Sequence, residues 1–354
     1  MKGFTDEVKN NMKFNAEELS ERKKILKSYP IKIYVEPTQR CNLDCWMCDW
    51  ERRRLVEDME MPLFRKIEKE LFSHVAEVDF FLNGEPLLAK NFPEMIETSQ
   101  RYSFLPKIFT NALMLDEKKM DLLVRNGVFV NISFDGGTEN IYDSVRGEGN
   151  FRRVIPKIKR LLEVGQGIQN DRFHVRFAVT LGMHNIQEAP KIIKLARELG
   201  IDDVMFGALD YGLKFEHHLS ADPEKTAFFL KLAKKEADDS SIRFSCPRKI
   251  GSVFIESYHN WDDFKLKIDE YAPFSLEANN PYNGKCGYPW VEAIFRSDGK
   301  FLSCCQKHHY MGDFTTSSFR DIWNNEKYQS LRSQDSYYEC LGINCNMTRY
   351  SIWK

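Results

Sequence analysis

No stretch of this sequence approaches the ~18 consecutive apolar residues of a membrane span, and its opening, Met1-Lys2-Gly3-Phe4-Thr5-Asp6-Glu7, lacks the apolar segment of a secretory signal. Neither sign of charge dominates. Lys and Arg number 51 against 52 Asp and Glu, so no global field favours DNA, RNA or an anionic membrane. Internal repeats and low-complexity tracts are missing too, and the 42% apolar and 29% charged content is that of an ordinary folded chain. A soluble cytoplasmic protein with no membrane and no nucleic-acid partner is expected, and its 354 residues allow two or three domains.

What the sequence does have is nine cysteines. An odd number in a long chain without an export signal favours metal binding or thiol chemistry over a disulfide scaffold. Cys41, Cys45 and Cys48 form a tight group, Cys286, Cys304, Cys305, Cys340 and Cys345 gather toward the C-terminus, and Cys246 stands alone.

Residues 1–30 read as a charged helical lead-in ending at Tyr29-Pro30. Short segments rich in Val, Ile and Phe then predict strands at Ile31–Glu36, Glu77–Leu82, Lys107–Thr110, Val128–Phe134, Phe173–Leu181 and Asp203–Leu209. Helical patterns separate them at Pro62–Phe72, Asp116–Asn126, Phe151–Val164 and Ile186–Leu199, the last opened by an Asn185/Glu188 capping box and stopped by Gly200. Alternation of this kind predicts an α/β fold with parallel pairing; periodicity leaves open whether the sheet is doubly wound or part of a barrel. After the Asp222-Pro223 helix start the rhythm changes. A hairpin is predicted at Trp290–Arg296 and Lys300–Cys304 around Ser297-Asp298-Gly299, with a last helix over Ser318–Arg332. The expected division is 1–30, 31–240 and 241–354.

The first cysteines read Cys41-Asn-Leu-Asp-Cys45-Trp-Met-Cys48, directly after the first strand. Three thiolates at this spacing can wrap one metal centre, whereas an iron–sulfur cube or a zinc ion normally takes four protein ligands; one metal position is thus left for another group, or a distant residue completes a zinc site. In this spacing the sequence resembles the radical S-adenosylmethionine superfamily. The resemblance implies a partial (β/α)6 TIM-like barrel and a [4Fe–4S] cluster on Cys41, Cys45 and Cys48. Its open iron would bind S-adenosylmethionine, and one electron would release a 5′-deoxyadenosyl radical that abstracts hydrogen from substrate. It further implies Met47 against the adenine and Asn83-Gly84-Glu85-Pro86 as the family's Gly-Gly-Glu-Pro segment, with Asn83 replacing the first glycine. Thr110-Asn111 and Ser133-Phe134-Asp135-Gly136 would supply polar contacts, and Arg146 would clamp the cofactor carboxylate; a solvated surface charge is the competing reading of Arg146. Independently of the family, Gly84, Glu85, Asn111, Ser133 and Asp135 all fall at or just beyond the C-terminal ends of predicted strands, where barrel enzymes build their sites.

The C-terminal cysteines and the segment around Trp323 resemble the SPASM/twitch extension of the same superfamily, a β-hairpin plus helix. This implies one auxiliary [4Fe–4S] cluster on Cys286, Cys304, Cys340 and Cys345, with Cys305 as a substitute for Cys304 and a zinc ribbon as the competing site. Cys246 reads either as a buried thiol or as a hydrogen-atom donor, and His308-His309 and Arg52-Arg53-Arg54 read as surface. The expected activity is a radical S-adenosylmethionine oxidoreductase performing two-electron oxidation of a small sugar- or cyclitol-like substrate, reduced by a flavodoxin or ferredoxin. The alternatives are an epimerase using Cys246 and a maturase of ribosomal peptides. Against the maturase, the thirty residues before the first strand look short for a leader-recognition domain. A zinc-binding interaction module is the non-enzyme reading. Substrate identity, the fate of S-adenosylmethionine and oligomeric state are not legible.

Overall fold

The computed structural model describes residues 3–48, 58–209, 214–246, 249–250, 253–254, 287–304 and 310–333. Its chain divides into two compact units, one of residues 1–40, 52–108 and 265–354, the other of 41–51 and 109–264. Among the described residues no helix is long and apolar enough to cross a membrane.

The first unit begins with α1 (Asp6–Ser20), capped by the Thr5 hydroxyl, which accepts from the Val8 amide at 3.4 Å. Strands β1 (Lys32–Val35), β2 (Glu77–Asp79) and β3 (Leu105–Thr110) are parallel, with α2 (Met61–Leu71) between the first two and α3 (Phe92–Ser99) before the third. On the other side of β1, and parallel to it, runs β10 (Glu292–Phe295), with Lys32 opposite Glu292 and Val35 opposite Phe295. Successive residues of a strand point to opposite faces. Ile33, Val35, Val78, Ala293 and Phe295 therefore form one buried apolar face, while Lys32, Tyr34, Glu77, Asp79 and Glu292 share the other. The expected hairpin forms: β10 pairs antiparallel with β11 (Lys300–Leu302), and β12 (Tyr310–Asp313) adds a third antiparallel strand. The lead-in helix docks on this C-terminal part, since the Asn15 amide donates to the Trp290 carbonyl at 2.7 Å.

The predicted last helix is instead two, Phe319–Trp323 and Glu326–Arg332. Asn325 is the reason: its side-chain oxygen accepts from the Tyr328 amide at 3.0 Å and so starts a new helix, while its Nδ2 donates to the Met311 carbonyl.

In the second unit β4 (Phe129–Ser133), β5 (His174–Leu181), β6 (Asp203–Ala208) and β7 (Arg243–Ser245) are parallel neighbours in chain order. Around them lie α4 (Glu117–Arg125), α5 (Glu139–Arg146), α6 (Asn150–Ile168), α7 (Ala189–Leu199) and α8 (Pro223–Asp239). A short antiparallel pair, β8 (Lys249–Ile250) and β9 (Val253–Phe254), follows β7. Strand-helix alternation is as the sequence predicts, and α7 ends at Gly200 with φ +82°. The Asn185 capping box does not form. Asn185 Oδ1 accepts from the Gly182 amide at 2.8 Å, and its Nδ2 donates to the Asp135 and Thr180 carbonyls, both at 3.0 Å. The side chain thus staples the ends of β4 and β5 together.

Candidate active site

In the first unit, β1 hands over to Glu36-Pro37-Thr38-Gln39-Arg40, which leads to Cys41. Asp58 holds this segment. It accepts from the Thr38 hydroxyl at 2.6 Å and from Arg40 Nε and Nη2 at 2.9 and 2.6 Å. Burial acts to raise the Asp58 pKa, but the Lys90 amide, the Thr38 hydroxyl and the Arg40 guanidinium hold it below the usual carboxylate range. Against the same main chain lies Asn83-Gly84-Glu85-Pro86. Gly84 has φ +71°, and a Cβ there would meet the Thr38 and Arg40 carbonyl oxygens at 2.6 and 2.7 Å, so only glycine fits. The Glu85 amide donates to the Arg40 carbonyl at 2.7 Å, and the buried Glu85 carboxylate accepts from the Leu87 amide.

In the second unit the cysteine loop turns tightly, the Cys48 amide donating to the Cys45 carbonyl at 3.0 Å. Cys41, Cys45 and Met47 are half-buried and Cys48 is exposed. Asn111, just past β3, donates to Asn42 Oδ1 at 2.9 Å and accepts from the Leu113 amide, anchoring the loop. Next to it, buried Ala112 holds φ +61°, a strained setting for an alanine. At the end of β4, half-buried Ser133 stands opposite Ala178 of β5. Asp135 is fully buried. It accepts from the Thr180 amide at 2.7 Å and pairs with Arg146 Nη2 at 2.5 Å. Gly136 lets α5 approach this closely, because a Cβ would stand 2.4 Å from the Tyr142 amide nitrogen.

Arg146 is therefore no surface charge: it is 9% exposed in the last turn of α5, a helix absent from the expected elements. Burial acts against its charge, but Asp135, Tyr142 and Cys45 hold its pKa above the usual value, so Cys45 lies within electrostatic reach of the guanidinium. Its buried Nε has no hydrogen-bond partner among the described residues, leaving one donor for an added anionic group. A three-thiol loop beside a buried guanidinium with a spare donor fits a cluster whose remaining metal position carries a ligand with a carboxylate. Among the described residues no three His, Cys, Asp or Glu side chains gather as a single metal ion requires. A cube sets each thiolate on a different iron, so its thiols need not crowd in that way.

Sequence reasoning missed Trp46 and His184. The Trp46 ring meets His184 edge-on at 4.8 Å and His217 at 5.2 Å, and burial lowers the His184 pKa to about 4, leaving it neutral at pH 7. The signal was available, since His184 lies just beyond a predicted strand end like the other candidates.

Of the auxiliary ligands, Cys304 is half-buried just beyond β11. Cys286, Cys340 and Cys345 lie outside the described residues, as do Cys305, His308-His309 and Arg52-Arg53-Arg54. Within electrostatic reach of Cys304 is Glu292, whose pKa burial pushes up to about 8. Cys246 is buried at the end of β7.

The sequence model of the radical SAM superfamily matches residues 35–196, and that of the SPASM iron–sulfur cluster-binding domain matches 286–346. The chain is 24% identical over 325 residues to the sporulation killing factor maturation protein SkfB of Bacillus subtilis, covering 90% of this chain and 70% of that protein. It is 26% identical over 328 residues to the tungsten-containing aldehyde ferredoxin oxidoreductase cofactor-modifying protein of Pyrococcus furiosus, covering 85% and 82%. With an uncharacterised protein of Archaeoglobus fulgidus, 28% identical over 162 residues, the match spans 45% of this chain and only 37% of the relative. In fold it is similar to SuiB of Streptococcus suis solved with its precursor peptide SuiA, with a TM-score of 0.66 at 15% identity, covering 95% of this chain and 73% of that one.

Proposed function

We propose an activity for a chain that belongs to the radical SAM superfamily and carries a C-terminal SPASM domain, two families that imply S-adenosylmethionine, a [4Fe–4S] cluster and an auxiliary cluster. On that premise it is a maturase that oxidises or crosslinks a precursor peptide. The observation that carries this is likeness along most of the chain to a named maturation protein, joined by the fold match to an enzyme solved with its precursor peptide. The small sugar- or cyclitol-like substrate expected first has less support, and the peptide alternative replaces it. The Pyrococcus relative favours a second reading, modification of a metal cofactor.

When bound, the cluster and S-adenosylmethionine supply a one-electron cleavage that yields a carbon radical able to take hydrogen from substrate. In our reading Cys41, Cys45 and Cys48 hold that cluster, while Cys286, Cys304, Cys340 and Cys345 hold the auxiliary one. The Gly84-Glu85 segment, Asn111, Ser133 and Asp135 orient the cofactor. Arg146 offers its carboxylate the buried donor, and Met47 covers its adenine. Of these, Glu85, Asn111, Asp135 and Arg146 are buried, which keeps water from competing for their hydrogen bonds. Cys246 remains a candidate hydrogen donor, and a flavodoxin or ferredoxin the candidate reductant.

The test is anaerobic incubation of reconstituted, reduced protein with S-adenosylmethionine and a candidate precursor peptide. Loss of two hydrogens from the peptide, in step with 5′-deoxyadenosine release, is the expected result. Release of 5′-deoxyadenosine with every peptide unchanged, but with a metal cofactor altered, would decide for the second reading.

A further inference from the structure

We infer that Glu36 is a positioning residue that sets the cofactor-binding segment 83–86 from the auxiliary hairpin. Asn83 is held on one of its carboxylate oxygens and the Ser297 turn on the other. This rests on the reading of Gly84-Glu85 as a contact of S-adenosylmethionine.

Glu36 follows β1, and its side chain is fully buried. Its Oε1 accepts from Asn83 Nδ2 at 3.0 Å. Its Oε2 accepts from the Ser297 amide at 3.1 Å, the Ser297 hydroxyl at 3.3 Å and Gln39 Nε2 at 3.2 Å. Gln39 Nε2 also donates to Ser297 Oγ at 3.0 Å, and Arg296 Nε lies 3.8 Å from Oε2. The Glu36 amide itself donates to the Phe295 carbonyl at 2.9 Å, fixing the residue to β10.

A buried carboxylate has lost its water and needs such donors. Two oxygens on one carbon of a rigid plane also mean that segments bonded to them cannot shift independently. The three segments are telling. Gln39 stands two residues before Cys41, Asn83 heads the Gly84-Glu85-Pro86 segment, and Ser297 lies in the hairpin turn that precedes Cys304. Asn83 thereby acquires a role. It replaces a glycine of the pattern this chain resembles, and a glycine has no amide to reach Glu36.

Restoring that glycine should therefore harm cofactor capture. The experiment uses the full chain, reconstituted with iron and sulfide, and S-adenosylmethionine itself as probe. Affinity is read by equilibrium dialysis and by the change the ligand makes in the EPR signal of the reduced cluster. Asn83→Gly should weaken binding about tenfold, the effect of losing a hydrogen bond to a charged group. Ser297→Ala, away from the cofactor segment in sequence, should weaken it about threefold. Both act through one carboxylate, so the double variant should fall short of the product of the two. Glu36→Gln, which keeps the shape and one acceptor oxygen, should bind better than Glu36→Ala. Variants that lose thermal stability but bind as the parent does would make the network merely structural and overturn the inference, as would strictly multiplicative effects. A parent whose cluster ignores S-adenosylmethionine overturns the site reading, and the inference with it; a responding parent with unaffected variants overturns the inference alone.

Discussion

Removing Arg146 tests whether the Asp135 pair organises the second unit. Asp135 is fully buried and Arg146 nearly so, with 2.5 Å between Asp135 Oδ2 and Arg146 Nη2. In Arg146→Ala, Asp135 keeps the Thr180 amide on Oδ1 but loses the cation on Oδ2. Stripping one partner from a buried pair costs about 3–5 kcal/mol, because the remaining charge stays desolvated. Since 1.4 kcal/mol is tenfold, amide hydrogen exchange in β4 and β5 should quicken by roughly two to four orders of magnitude, with β1 and β10 of the other unit as internal controls. Replacing both members, Asp135→Asn with Arg146→Met, removes the stranded charge, and protection should largely return. An increase of less than about tenfold in Arg146→Ala would mean the pair behaves like an exposed ion pair, and the argument from burial would be wrong.

Three further outcomes are expected. Cys45→Ala should lose roughly half the iron of the reconstituted protein and all EPR response to S-adenosylmethionine, as one of two four-iron clusters would be lost; iron and sulfide analysis checks this, and unchanged iron would remove the cluster from these thiols. Gly84→Ala should cost at least about 2 kcal/mol, since the added Cβ meets two carbonyl oxygens at φ +71°, and urea denaturation of the first unit reads it. Glu292 should impose a pH dependence on the apoprotein. Folded, it holds its proton to about pH 8, against an ordinary carboxyl value of 4.5. The folded state therefore binds more protons between those values, so stability is full below the lower one and is lost as pH rises through the upper one. The unfolding free energy from urea denaturation should fall between pH 5 and 8 by several kcal/mol, and Glu292→Gln should flatten the slope.

The first six strands, the hairpin and most helices were legible because each is a short apolar run with polar punctuation, whereas β7, β8, β9 and β12 were not, being only two to four residues long; the first cysteines stood out because three thiols at that spacing have few other uses. Arg146 was left open to a surface reading, which its burial overturns, because the helix that buries it, α5, carries its apolar residues on too few positions to announce itself. Asn185 shows a different limit. Its spacing from Glu188 satisfies a capping rule, yet the Gly182 amide takes the Oδ1 that would cap the helix while the Asp135 and Thr180 carbonyls hold Nδ2, and no local rule contains a partner fifty positions away. Glu36 was invisible for the same reason, its donors coming from Gln39, Asn83 and Ser297. Substrate class was least legible of all, since the motifs the sequence offers are read as contacts of the cofactor and not of the molecule it acts on.

One distinction separates the two buried charge groups of the first unit. Lys32 sits opposite both Glu77 and Glu292 at the starts of their strands, and Tyr34 opposite Asp79, so one sheet face carries the charges. Lys32 Nζ lies 2.8 and 2.7 Å from Glu77 and Asp79, and Lys107 Nζ 2.5 Å from Glu77. Burial acts to raise the Glu77 pKa, but Lys107 and Lys32 hold it well below its usual range. Three carboxyls against two ammonium groups leave one acid unmatched, and Glu292 meets that by keeping its proton. Such a group closes on itself across β1, β2, β3 and β10 and serves the fold. Glu36 stands at the opposite, C-terminal end of β1, where parallel α/β enzymes place chemistry, and its bonds run outward to segments flanking cysteines and glycine. A substitution in the first group should therefore lower stability with cofactor affinity intact, whereas one at Glu36 should lower affinity beyond its effect on stability.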